Sequence, residues 1–294
     1  FFFFKITKRI LTIKNICIKY KYIMNYEILI LVILFIILNI SNILHKENEH
    51  FENKKNIVWL YWENKPGKTK PEYLNMCMES ISKHLKDYEI IVLNPDNLDK
   101  YLKNINPNVH KIKQLAHKAD YLRMLATYQH GGFWFDADTI VMDNIDLWND
   151  RLKQYDLVWY GMNAYGVNKH NTFIKNVLDK VDNKINNSKN HNFNWREIGQ
   201  DIIDPELKTY KKKYPNKFFK LPDTEVCFMP FNQDNQRTGF ISKNQRVLKD
   251  KYKNTQKIIM LHNQLYPNSF KKMTREEILK DDMVISTLFK KTLN

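Results

Sequence analysis

Apolar and polar positions fall into blocks along this chain, and each block predicts an element. Residues 28–44, ILILVILFIILNISNIL, run for seventeen positions without a charge. At about 1.5 Å per residue they reach roughly 25 Å as a helix, near the hydrocarbon thickness of a thin membrane. No small-residue cleavage pattern follows, so 24–45 is expected to be an uncleaved signal anchor, with a cleaved signal peptide as the alternative. Residues 46–56 are charged and aperiodic, as in a stalk. A folded domain is expected over 57–294. Its first strand is Ile57–Tyr61, apolar on both faces as in a covered sheet. A helix follows from Pro71, and a second strand spans Glu89–Leu93. Asn94-Pro95-Asp96 ends that strand and caps a short helix near Leu98–Leu102.

The next stretch, LAHKADYLRMLATYQHGGFWFDADTIVM at 115–142, organises the rest. Leu115, Ala116, Ala119, Leu122, Leu125, Ala126 and Tyr128 recur at three- and four-residue steps, which predicts a helix. Gly131-Gly132 offers the positive-φ freedom that closes one. Phe133–Phe135 has the character of a buried strand leading into Asp136-Ala137-Asp138, with Thr139–Met142 continuing extended. Strand and helix alternate to this point, predicting an α/β fold with a mainly parallel, nucleotide-binding sheet. Further strands are expected at Leu157–Gly161, Glu225–Met229 and Lys257–Leu261, and a helix at Thr172–Ile185. Asn163 and Tyr165 fall in an expected loop. The Asn- and Lys-rich segment 186–220 gives no clear element, and Asn186-Asn187-Ser188 within it is a glycosylation sequon.

Composition narrows the class. At 294 residues with 43% hydrophobic and 13% aromatic content, general disorder is excluded. Cys17, Cys77 and Cys227 are too few and too widely spaced for a disulfide framework or a metal cluster. The net charge of +15 raises the question of nucleic acid. Residues 1–23 hold six of the cations and no acid; they are either a basic cytosolic tail or a segment that precedes the true start at Met24. The remaining lysines are scattered, with no helix-turn-helix or zinc-finger pattern, so no nucleic-acid partner is expected. A solvated basic surface suits a sugar nucleotide or an anionic membrane.

The chemistry-bearing residues come from two geometries. Asp120 and Arg123 are three apart and project from one helix face. Asp136 and Asp138, two apart on an extended segment, point the same way. Converging carboxylates past a buried strand can hold a divalent cation, at the sheet edge where ligands bind. A bare Asp-x-Asp is common by chance. The whole string, Asp120-x-x-Arg123 followed by Gly131-Gly132-x-Trp134-x-Asp136-x-Asp138, resembles the DxD sugar-binding glycosyltransferases. These include initiating mannosyltransferases, capsular polysaccharide synthesis proteins and, distantly, the clostridial glucosylating toxins.

The resemblance implies a GT-A fold and retaining transfer of a hexose or N-acetylhexosamine from a nucleotide-sugar donor to a glycan acceptor. By the same likeness, Asp138 binds Mn2+ or Mg2+, while Asp136 contacts the ribose or shares the metal. Asp120 and Arg123 hold the donor sugar, with Arg123 able to reach the phosphate. An aromatic residue at the end of the first strand lies near the base, which makes Trp59, Tyr61 and Trp62 candidates; Trp59 is equally readable as core. His262-Asn263 with Ser269-Phe270 resembles the family's C-terminal element, which makes His262 a metal-ligand candidate. Gly199-Gln200-Asp201 stands where the family often has Gly-Pro, and Asp201 is either a polar contact or a plain loop acid. The expected location is a single-pass membrane protein with a lumenal domain. The competing readings are an inactive sugar- or nucleotide-binding protein on this fold and a basic nucleic-acid-associated factor.

Overall fold

The computed structural model describes residues 56–228, 239–243 and 253–294, together with Tyr26, Ile30, Leu31, Leu34, Phe35 and Leu38. The chain divides into two units, Phe1–Lys54 and Lys55–Asn294. In the first unit the six described residues are helical and exposed. The tail at 1–23, most of the apolar run and nearly all of the stalk lie outside the described residues. Among the described residues no helix is long and apolar enough to cross a membrane. The expected single-pass membrane protein, with its membrane partner and lumenal placement, is therefore not supported.

The second unit contains a six-stranded sheet in the order β2-β1-β3-β6-β5-β7. Its strands are β1 (Asn56–Tyr61), β2 (Tyr88–Leu93), β3 (Gly132–Phe135), β5 (Leu157–Gly161), β6 (Ala164–Val167) and β7 (Phe218–Lys220). A three-stranded sheet, β4-β9-β8, comprises β4 (Thr139–Val141), β8 (Val226–Phe228) and β9 (Ile258–Met260). The helices are α1 (Glu72–His84), α2 (Leu98–Tyr101), α3 (Leu115–His130), α4 (Asp146–Gln154), α5 (Thr172–Asn187), α6 (Gln200–Lys213), α7 (Asn268–Lys271), α8 (Arg275–Lys280) and α9 (Val284–Leu293). Pairings β1–β2, β1–β3 and β5–β7 are parallel; β3–β6 and β5–β6 are antiparallel. The expected mainly parallel α/β sheet is therefore present with an antiparallel insertion.

That insertion is β6, expected as loop. Only two residues separate it from β5, and so short a link permits only antiparallel pairing. Gly166 makes the strand fit, since a Cβ there would lie 2.4 Å from the Phe133 ring. Strand periodicity covers both faces of the large sheet. Trp59, Tyr61 and Trp134 pack in one cluster with Tyr121, Leu122 and Phe173. Their neighbours Val58, Leu60, Phe133 and Phe135 join Ile81 and Trp148 in another. A third cluster packs α1 against the C-terminal helices through Tyr73, Leu74, Phe270, Ile285 and Phe289. Cys77 lies there as a buried free thiol.

The glycine pair does what its position predicts. Gly131 ends α3 at φ +71°, with its N–H donating to Thr127 O at 2.9 Å. Gly132 has φ +95°, and a Cβ there would lie 2.4 Å from the Ile57 carbonyl oxygen, so β3 can pair with β1 only through glycine. Segment 186–220, unreadable in the sequence, holds α6 and β7. Pro205 interrupts the helical pattern of α6, and only Ile203 and Tyr210 are buried along it. The sequon residue Asn186 lies on α5, its side-chain oxygen accepting from the amides of Asn106 and Asn108 at 3.0 and 3.1 Å.

Candidate active site at the crossover between the two sheets

The Asp136–Asp138 segment is where the chain leaves one sheet for the other. β3 ends at Phe135 in the large sheet, and β4 begins at Thr139 in the small one. The link is a turn closed by Thr139 N–H donating to Asp136 O at 3.1 Å, with Asp136 N–H donating to Asn163 O at 3.1 Å. This corrects the expected extended segment: three residues must redirect the backbone between sheets, and a turn achieves that. The two carboxylates still lie close enough for Asp136 to raise the pKa of Asp138.

Arg123, from α3, is the centre. It is only 5% exposed. Its Nη2 lies 3.1 Å from Asp120 Oδ1, and its Nη1 lies 3.2 Å from Asp136 Oδ1. Nη1 also donates to the Met162 carbonyl, and Nε donates to Ala119 O at 3.4 Å. The guanidinium lies over the Trp134 ring at 5.2 Å. Trp134 Nε1–H donates to Asp136 Oδ1 at 2.8 Å. Asp136, 24% exposed on its side chain, is therefore fixed from two sides while keeping an open aspect. Burial works against the Arg123 charge, but Asp136 and Asp120 outweigh it and raise its pKa. Three-residue spacing on α3 sets the first contact, and the sheet edge supplies the second.

Asp138 is held differently. Its Oδ2 accepts the Asn263 N–H at 2.7 Å, and its carbonyl accepts the Leu261 N–H at 3.0 Å. Tyr73 Oη donates to Asn263 Oδ1 at 2.5 Å from the other side. Burial, then the neighbouring Asp136, push the Asp138 carboxyl up to about 7, against the lowering effect of the Asn263 N–H and Arg123. Asp120 is pushed up to about 6, by burial first and against Arg123. His262 is buried and sits between Leu261 and Asn263, the two residues tied to Asp138. Lys271 lies near enough for Asp138 to favour its charge, although burial and Lys65 lower its pKa. Among the described residues, no group of three or more His, Cys, Asp or Glu side chains is placed to hold a metal ion.

The remaining candidates are placed as follows. Trp59 is 1% exposed in the core, its Nε1–H donating to Gly131 O at 2.9 Å, so it offers no open face to a base. Tyr61 is also buried; its hydroxyl donates to Glu63, whose carboxylate Lys118 holds at 3.1 Å. Trp62 is half-buried, with Nε1–H donating to Asn64 Oδ1 at 2.7 Å. Asp201 is exposed and accepts from Arg196 Nε at 2.9 Å. Phe270 is packed against Tyr73 and Tyr266, while Ser269 is exposed. Sequence reasoning missed Trp134 and Met162 as supports of the Arg123 cage, although the Trp-x-Asp spacing placed Trp134 on the face of Asp136. It also missed why Gly199 is glycine. A Cβ there would stand 3.2 Å from Asp120 Oδ2 and 3.1 Å from Met162 Cε.

Arg123 caged by Asp120 and Asp136, with Asp138 beside them at the edge of a mainly parallel α/β sheet, suits a glycosyltransferase, the class that the family match supports. The sequence matches the family described as capsular polysaccharide synthesis protein over residues 35–292, and the chain belongs to that family. No curated protein matches the sequence. Among solved structures it is similar to PaToxG glycosyltransferase, at 13% identity and TM-score 0.40, covering 82% of this chain and 86% of that one. It is similar to the glycosyltransferase GlyE of Streptococcus pneumoniae TIGR4, at 11% identity and TM-score 0.41, covering 82% and 61%. The galactosyltransferase LgtC in complex with donor and acceptor sugar analogues gives 11% identity and TM-score 0.39, covering 80% and 94%. These are distant likenesses.

Proposed function

We propose that this chain transfers a hexose or N-acetylhexosamine from a nucleotide-sugar donor to a glycan acceptor, with retention of configuration and with Mn2+ or Mg2+ at the DxD turn. Charge balance carries the reading. One guanidinium faces Asp120, Asp136 and, beyond them, Asp138. With all three carboxylates ionised the group has a net charge of −2, which a divalent cation balances. Such ions are commonly held by one or two carboxylates plus substrate phosphates, so Asp138 and Asp136 are a sufficient protein contribution. When bound, the cation neutralises the diphosphate as it departs.

The chain's own residues supply the positioning. Arg123 turns its donors inward and therefore acts by fixing Asp120 and Asp136 rather than by gripping a phosphate. Asp120 Oδ2, facing Gly199, accepts from donor-sugar hydroxyls. Trp62 is the aromatic at the end of β1 with surface left for a base. The experiment is hydrolysis and transfer from UDP-glucose, UDP-N-acetylglucosamine and GDP-mannose, with and without manganese. Manganese-dependent release of nucleotide is expected, lowered about 1000-fold in Asp138→Ala. Turnover undiminished after verified metal removal would overturn the metal assignment. The anomeric proton of the first-formed product, read by NMR, decides retention.

A further inference from the structure

Trp195 differs from the other tryptophans. Trp59, Trp134, Trp148 and Trp159 are buried, whereas Trp195 is 54% exposed. In the second unit, among the described residues, Leu147 is the only other large apolar side chain so exposed. An exposed large apolar face is the informative exception. Nor does Trp195 sit on a loose tip. Glu197 N–H donates to Asn194 O at 3.0 Å, Asn194 N–H donates to Glu197 Oε2 at 2.8 Å, and Gly199 N–H donates to Arg196 O at 3.1 Å.

Beneath the loop lies His117, fully buried on α3, one turn before Asp120. Its Nε2–H donates to the Trp195 carbonyl at 3.3 Å, and its ring lies 6.2 Å from the indole. At its far end the loop reaches Gly199, which abuts Asp120. The loop is thus hydrogen-bonded through Trp195 to the helix that carries the donor-side carboxylate, and its Gly199 end packs close to that carboxylate. Through Glu197 the loop also borders an open recess of about 620 Å³, lined with it by Asn183, Lys184, Asn187, Asn190 and Asn192, while Trp195 itself stands outside that lining.

Resting on the transfer reading above, we propose that Trp195 is the stacking platform for the acceptor saccharide and that the amide-lined recess binds its outlying hydroxyls. A pyranose has an apolar C–H face and a rim of hydroxyls. It needs a rigid apolar plane next to groups that both donate and accept, which an indole and a set of carboxamides provide. A second copy of the chain would call for an apolar interface centre, whereas this surface is one aromatic plane among polar side chains. Lys184 and Glu197 pair at 3.2 Å, which favours a neutral saccharide over a polyanion.

The test uses the full chain with lactose and cellobiose as probes, read by saturation-transfer NMR. Saturable binding of either sugar is expected, weakened at least tenfold in Trp195→Ala and restored in Trp195→Phe. The circular dichroism spectrum and urea midpoint of Trp195→Ala should match those of the wild type, which shows that the variant folds. No saturable binding of either sugar, or equal binding in the alanine variant, overturns the platform. A change in sedimentation mass on Trp195→Ala also overturns it, by making the indole a contact between copies. Wild-type protein without donor hydrolysis overturns the transfer reading instead, and sugar binding still decides the platform.

Discussion

The two halves of the site face opposite electrostatic problems. On the Arg123 side, charge is matched within the protein: a buried guanidinium meets Asp120 and Asp136 within 3.2 Å and rests on Trp134. On the Asp138 side, a buried carboxylate is met by a backbone N–H and repelled by its neighbour. The first half is built in advance and holds shape; the second is left in want of positive charge. On the transfer reading proposed above, a site divided in this way would orient a sugar on its rigid half and leave the other half to a cation and the diphosphate.

Four measurements press on that contrast. The largest effect is expected from Arg123→Ala, which strands two carboxylates in a buried cage. Loss of about 3–5 kcal/mol in a urea titration is expected, together with loss of transfer. A variant of wild-type stability would mean that the cage does not hold the fold. Asp138→Ala should lower manganese-dependent donor hydrolysis about 1000-fold with the fold kept, judged by circular dichroism. A third measurement turns on pH. The Asp138 carboxyl releases its proton near 7 in the folded chain, against about 3.9 unfolded. Between those values the native state binds more protons, so this contribution to stability is full below about pH 4 and is lost as pH rises to about 7. In chelator, Asp138→Asn should therefore gain on the wild type across that interval. A gap that stays constant with pH would place the proton elsewhere. The smallest effect is expected from Gly199→Ala, whose Cβ crowds Asp120 Oδ2 and Met162 Cε by a few tenths of an ångström. A severalfold rise in donor KM with little change in stability is the expected outcome.

How much of this was legible depends on whether the signal was local. The helix with Asp120 and Arg123, its glycine stop and the strand running to Phe135 are all carried by neighbours in sequence, and they stand where the pattern placed them. The turn at Asp136–Asp138 was not legible, because its shape is set by β9, a strand more than a hundred residues away. Trp59 was ambiguous for a related reason: an aromatic in an apolar strand does not reveal what covers it, and here Tyr101 and His130 do. α6 was hidden by Pro205 and by a surface that buries little. Of the site itself, the carboxylates and the arginine were visible as residue types. Their division into a closed cage and an open charge was not, since that rests on Met162, Trp134 and Asn263.

Asp138 takes its hydrogen bond from a residue 125 positions downstream, and β4 pairs with a strand that begins at Ile258. During synthesis, then, both acidic residues of the turn leave the ribosome long before the backbone that steadies one of them. A growing polypeptide has the sequence of the motif without its geometry, and chemistry is withheld until the segment around Asn263 has emerged.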